Sequence, residues 1–139
     1  MSYGALAELQ CREGVLHDWT RGMSQWEIGP VDALPTKTLD AWRVCIVPGD
    51  RENRPRTAHL WGFVRETCRG RVSTAIAKVD PLKRVVLTCS ERVYLLAGDS
   101  GVNTDALCVW GAWKQARGIH LDDECDATDE VEAVLSRSV

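Results

Sequence analysis

The chain has 139 residues, of which 45% are hydrophobic and 27% charged, with a formal net charge of −3. That is the size and make-up of one globular domain over residues 1–139, and it excludes extensive disorder. No stretch reaches the ~18 apolar residues of a membrane span, and Met1 to Glu8 lacks the basic region and apolar run of a secretory signal; the expectation is a cytoplasmic protein with no membrane association.

Residues 2–12 read as a helix. Ser2 can cap it, Ala5, Leu6 and Leu9 share a face, and Gly14 can end it. Val15, Leu16 and Trp19 continue the apolar pattern. Residues 20–38 hold Gly22, Gly29, Pro30 and Pro35 with little periodicity, and read as a long irregular connection. Strands are expected at 41–47 and 57–64, separated by the polar loop 49–56. The strongest β signal follows. Residues 71–79 are rich in β-branched side chains, Asp80-Pro81-Leu82-Lys83 makes a turn with Pro at its second position, and 84–89 returns. Ser90-Glu91 is a tight connection to a third strand at 92–97. Tight connections make neighbours antiparallel.

A helix is expected at 104–117. Asn103 or Thr104 can cap it, and Ala106, Val109, Trp110, Trp113 and Ala116 recur at three- and four-residue steps. Gly118 can take the left-handed position beyond its end. A short final helix is expected at 129–136, capped by Thr128. The fold class is therefore α+β: an antiparallel β-meander of about five strands, with the 104–117 helix packed on one face and a short N-terminal helix. The alternative architecture is a small, partly closed barrel with the same helix as a plug.

The six cysteines are spread along the chain without a Cys-x-x-Cys pair, and several lie in apolar runs. They read as reduced, structural residues. Six Trp are unusual beside one Phe and two Tyr. Each indole N–H needs a partner, which places several rings at the edge of the core.

Tests for chemistry find no motif. His17-Asp18 could orient a base, but no Gly-x-Ser-x-Gly elbow accompanies it. Cys108, His120 and Cys125 match no standard zinc spacing. Gly98-Asp99-Ser100-Gly101 joins a strand to a helix yet lacks both glycine-rich phosphate patterns. No catalytic residue, cofactor or metal is assigned, and the protein reads as not an enzyme.

The charge distribution is more informative. Residues 1–120 carry a formal +3, whereas the acidic C-terminal segment 121–139 carries −6. Arg51, Arg54, Arg56, Arg65, Arg69 and Arg71 fall within 21 residues. A sequence pI near 5.6 argues against a dedicated nucleic-acid binder. Arginines beside an exposed Trp suit protein recognition. The candidate partner-binding residues are therefore Arg51, Arg54, Arg56 and Trp61, together with Asp122, Asp123, Glu124 and Asp126.

Residues 59–117 resemble a pattern in small accessory proteins of proteobacterial phages and prophages. The matching residues are Ser73-Thr74, then Val86, Thr88, Ser90, Tyr94, Leu96 and Gly98, then Trp110 and Trp113, with the hairpin positions offset by one. The resemblance implies a genomic setting and no functional residue. In that setting such proteins bind and block host machinery, anti-CRISPR proteins among them, and work in the host cytoplasm. The leading expectation is thus a non-enzymatic protein-binding module, a phage-encoded inhibitor of a host defence complex acting by steric block. The alternatives are an immunity or regulatory protein for a cognate toxin, and a small enzyme centred on His17, His59 or His120.

Overall fold

The computed structural model describes residues 26–49 and 55–137. The expected helix at 2–12, with Val15, Leu16 and Trp19, lies outside the described residues. The elements are β1 (Glu27–Ile28), β2 (Lys37–Val47), β3 (Thr57–Val64), β4 (Arg69–Asp80), β5 (Val85–Thr88), β6 (Val93–Leu96), α1 (Thr104–Ala116), β7 (Cys125–Asp126) and α2 (Thr128–Arg137). A 3₁₀ turn at Leu121–Asp123 precedes β7.

β2 to β6 pair as consecutive antiparallel neighbours, as the tight turns require. The sheet does not stay open, however. Lys37–Leu39 of β2 pair in parallel with Tyr94–Leu96 of β6, which closes a five-stranded mixed barrel. The parallel seam follows from counting: five strands running alternately up and down leave the first and last pointing the same way. The expected open antiparallel meander is corrected on this point. Hairpin signals specify neighbours along the chain and carry no information about closure.

The barrel is filled by alternate residues of its strands: Leu39, Val44 and Ile46 from β2, Leu60 from β3, Ile76 and Val79 from β4, Val86 from β5, Tyr94 and Leu96 from β6. The register accommodates an extra residue in β2 between Asp40 and Arg43, where Ala41 has φ of 49°. Gly62 sits opposite this bulge, and a Cβ there would lie 3.0 Å from the Trp42 backbone. After the bulge, β2 leaves β6 and is joined by β7 instead. α2 follows β7 and adds Val131 and Leu135 to the barrel core. It is therefore α2, not α1, that plugs the barrel.

α1 packs outside, across β3 and β4. Its start is capped by Asn103, whose side chain accepts from the Ala106 N–H at 2.9 Å. Arg117 and the left-handed Gly118 (φ 68°) end it. Gly70 permits the close approach, since a Cβ there would stand 2.5 Å from the Ala106 Cα. The expected α2 is present, but Thr128 does not cap it in the usual way. Its hydroxyl is turned to Val44 of β2, and the Asp126 carboxylate accepts from the Thr128 N–H. The long connection expected over 20–38 contains β1, and β2 starts at Lys37, earlier than the expected 41. β1 runs parallel to β4 at Lys78–Val79.

Candidate functional site

Trp61, Trp110 and Trp113 form a stack between β3 and α1. Ring centroids are 5.6 Å apart for Trp61 and Trp110, and 5.2 Å apart for Trp110 and Trp113. Trp61 is only 3% exposed, which corrects the expectation of an exposed recognition residue. Trp42 and Trp110 are equally buried, so these three rings belong to the core and not to its edge. Their N–H groups are satisfied locally: Trp42 donates to the Gly98 carbonyl, Trp61 to the Cys45 Sγ and Trp110 to Glu124. Burial pushes the Cys45 thiol up to about 12, so it is a poor nucleophile. Cys45, Cys68, Cys89 and Cys108 are free thiols and Cys125 is disulfide-bonded, so the reduced reading holds at those four positions and not at Cys125.

The acidic segment is built into the domain. Glu124 pairs with Lys114 of α1, both side chains being about 15% exposed. Asp126 pairs with Arg43 at 2.6 Å. The Asp123 carbonyl accepts from Arg56 at 3.0 Å. Asp122 is exposed on the 3₁₀ turn. Arg51 and Arg54 lie outside the described residues. The structure thus brings Arg56 against the acidic segment, while Glu124 and Asp126 serve as internal partners. Composition alone does not separate a solvated acidic tail from one whose carboxylates cap and pair; the Lys114–Glu124 contact depends on chain reversal at 117–123.

At the C-terminal end of α1 a pocket of about 280 Å³ opens between the helix, the ends of β2 and β3, and the middle of β4. Apolar walls come from Val47, Pro48, Pro55, Ala75, Trp113 and Ile119, and polar groups from Thr57, His59, Thr74 and Arg117. Thr57 and His59 share the outer face of β3 because strand residues alternate. An extra residue in β4, between the partners of His59 and Trp61, turns the Ser73 carbonyl toward His59. That carbonyl can only accept, so His59 Nδ1 carries the proton, at 2.9 Å. Nε2 is left as an acceptor, and the Thr57 hydroxyl donates to it at 2.7 Å. His59 titrates below the ordinary histidine range: burial lowers it and Arg117 lowers it further, against the raising effect of the Ser73 carbonyl. Trp113 packs on the imidazole at 4.7 Å, and the Arg117 guanidinium lies 4.3 Å from the Trp113 ring centre. In the sequence His59 stands out only as one of three histidines. The Thr57-x-His59 spacing on a strand was the available signal for the pair.

His17 lies outside the described residues, and His120 is exposed. Among the described residues no group of three His, Cys, Asp or Glu could hold a metal ion, and Cys108, His120 and Cys125 do not come together as one. Among the same residues no helix is long and apolar enough to cross a membrane.

The other side of α1 is a second candidate surface. Ala106 and Trp110 face the barrel, as expected, with Trp113 half-buried, but Val109 and Ala116 are exposed. The outward face carries Leu107, 48% exposed, with Cys108, Gly111, Ala112 and Gln115. Nothing lies within 4 Å of a Cβ built on Gly111. Thr104, Asp105 and Gln115 are the exposed polar residues on this side, and Leu107 to Ala112 present no charge outward.

No family model, curated protein or solved structure matches the chain.

Proposed function

We propose that the chain is a non-enzymatic protein-binding module that docks through the outward face of α1 onto an apolar surface of a different protein. One observation carries the reading: the middle of α1, from Leu107 to Ala112, exposes an apolar, uncharged stretch that the barrel does not cover. A surface helix ordinarily turns charged residues to water along its whole outward side, and an exposed apolar stretch in the middle of one suits burial against a partner. Leu107, Val109 and the small residues Cys108, Gly111 and Ala112 allow a partner to approach the helix backbone closely. In this reading the acidic segment is support, holding α1 through Lys114 and Trp110, and contributes to docking only at its exposed rim.

The narrower reading, a phage-encoded inhibitor that blocks a host defence complex, rests on the resemblance of residues 59–117 and uses the same face. An immunity protein for a cognate toxin would differ in partner, not in mode. The deciding experiment pairs affinity purification with the double variant Leu107→Glu/Ala112→Glu. A stoichiometric partner retained by the wild type and lost by the variant, at unchanged melting temperature, supports the proposal. A variant that binds the partner equally, or a wild type that self-associates through this face, overturns it.

A second reading, a small enzyme, is favoured by the Thr57–His59 hydrogen bond, which places a hydroxyl against a neutral imidazole oriented by a carbonyl. Acetylation of Thr57 by p-nitrophenyl acetate, abolished in His59→Gln, would support it. Labelling no faster than in the unfolded chain would remove it.

A further inference from the structure

The pocket at the end of α1 is separate from the outward helix face, and its chemistry is specific. Its volume is at the small end for ligand sites. Among the described residues its walls are mainly aliphatic, with the Trp113 ring as the one aromatic surface besides the imidazole of His59. Among the described residues of the lining Arg117 is the one formally charged side chain, and no carboxylate accompanies it. Among the described residues Arg117 has no ion-pair partner; its guanidinium rests on Trp113 instead. The charge is therefore held in place by the ring while its hydrogen-bonding edge stays unused. An arginine stacked in this way is well suited to a carboxylate, which its planar fork can bind with two parallel bonds.

The remaining polar groups narrow the ligand further. His59 spends both ring nitrogens on Ser73 and Thr57, so it offers the pocket neither a charge nor a donor. The Thr57 hydroxyl has its proton committed to His59 and presents lone pairs. Thr74, on the neighbouring strand β4, is hydrogen-bonded to Ser90 at 2.8 Å. The described residues of the lining thus combine one cation, one acceptor and an apolar floor.

From this arrangement we infer that the pocket binds a small organic acid, with its carboxylate on Arg117 and its apolar body against Trp113, Ile119 and Val47. A hydroxyl or N–H on the ligand would be received by the Thr57 oxygen. The inference stands independently of the docking face, because none of the pocket residues lies on it.

The test titrates the full chain with benzoate and with hexanoate, following tryptophan fluorescence and melting temperature. Benzamide and hexanol serve as uncharged counterparts, and inorganic phosphate as a bare anion. Saturable fluorescence change and thermal stabilisation are expected with the two acids, weakening as salt is raised. Arg117→Gln should weaken acid binding by about tenfold or more, while its own melting temperature stays close to that of the wild type. Ala75→Met, which fills the pocket from β4, should abolish binding without touching Arg117. Leu107→Glu/Ala112→Glu should leave acid binding unchanged, which separates this inference from the docking proposal. Equal binding of benzoate and benzamide, preference for phosphate, or no response to either acid at millimolar concentration would each overturn it.

Discussion

Replacing Gly70 by alanine adds one methyl group at the closest contact between α1 and the barrel. The new Cβ would lie 2.5 Å from the Ala106 Cα and 2.8 Å from both the Ala106 nitrogen and the Asp105 carbonyl oxygen. All three neighbours are backbone, so no side chain can swing aside. Ordinary contact begins near 3.4 Å, and the start of α1 must therefore retreat by about 1 Å. That retreat loosens the packing of Ala106 and Trp110 on Trp61 and Val72. Overpacking of this kind costs about 2–3 kcal/mol, against a gain of up to ~1 kcal/mol from removing a strand glycine. A net loss of about 1.5–2 kcal/mol corresponds to a melting temperature lower by roughly 5–10 °C. The control is the same substitution at Gly111, on the outward side of the same helix, where a Cβ meets nothing. There alanine should stabilise by about 0.5–1 kcal/mol through helix propensity alone. Urea unfolding followed by tryptophan fluorescence measures both. If Gly70→Ala matches or exceeds the wild type, the packing of α1 described above is wrong.

Asp80 is buried, and its carboxylate accepts from the Val31, Leu82 and Lys83 N–H groups. Burial raises its pKa, but these bonds and the Lys83 charge outweigh it and hold the group below the ordinary range. Its stabilising effect is present above about pH 4 and lost as pH falls through the lowered folded value. Asp80→Ala should cost at least about 2 kcal/mol at neutral pH, and the gap to wild type should shrink in acid; a gap independent of pH would count against this account. His59 works in the opposite sense to a paired histidine. Its folded pKa is lowered, so the unfolded chain takes up the proton first and stability falls as pH drops through the ordinary value near ~6.5. His59→Gln should flatten the stability profile between about pH 7 and 5, and an unchanged slope in urea titrations would contradict it. Among the free thiols, Cys68, Cys89 and Cys108 are exposed and should react with a disulfide reagent in the native protein, whereas Cys45 should react only on unfolding. Native labelling of Cys45, read by mass spectrometry, would contradict its burial beneath Trp61.

The local patterns were legible in the sequence where one residue sets one turn or one period. β3 has the expected bounds, 57–64, and β4, β5 and β6 fall within two residues of theirs. Asp80-Pro81 marks its turn, and Asn103 caps α1. What stayed hidden depends on residues distant in the chain. β7 has two residues and no pattern of its own; it is a strand because Ile46 and Cys45 offer it an edge. Trp61 alternates correctly for an outward position, but α1 covers that outward side, and no local signal distinguishes an exposed face from one roofed by a helix. The pocket was invisible for the same reason. Thr57 and His59 come from one strand, Ser73 and Thr74 from a bulge, and Trp113 and Arg117 from a helix forty residues further on.

β2 carries a further consequence through its three partners. β3 flanks one side throughout, but the other side is divided between β6 and β7, and Thr128 bonds the Val44 backbone across 84 residues of sequence. During synthesis the first half of the barrel can assemble while the second half of β2 still offers an open row of amide and carbonyl groups. Such an edge pairs readily with a neighbouring chain. Pairing with Cys125–Asp126 closes that edge, so the acidic segment shields β2 as well as bracing α1.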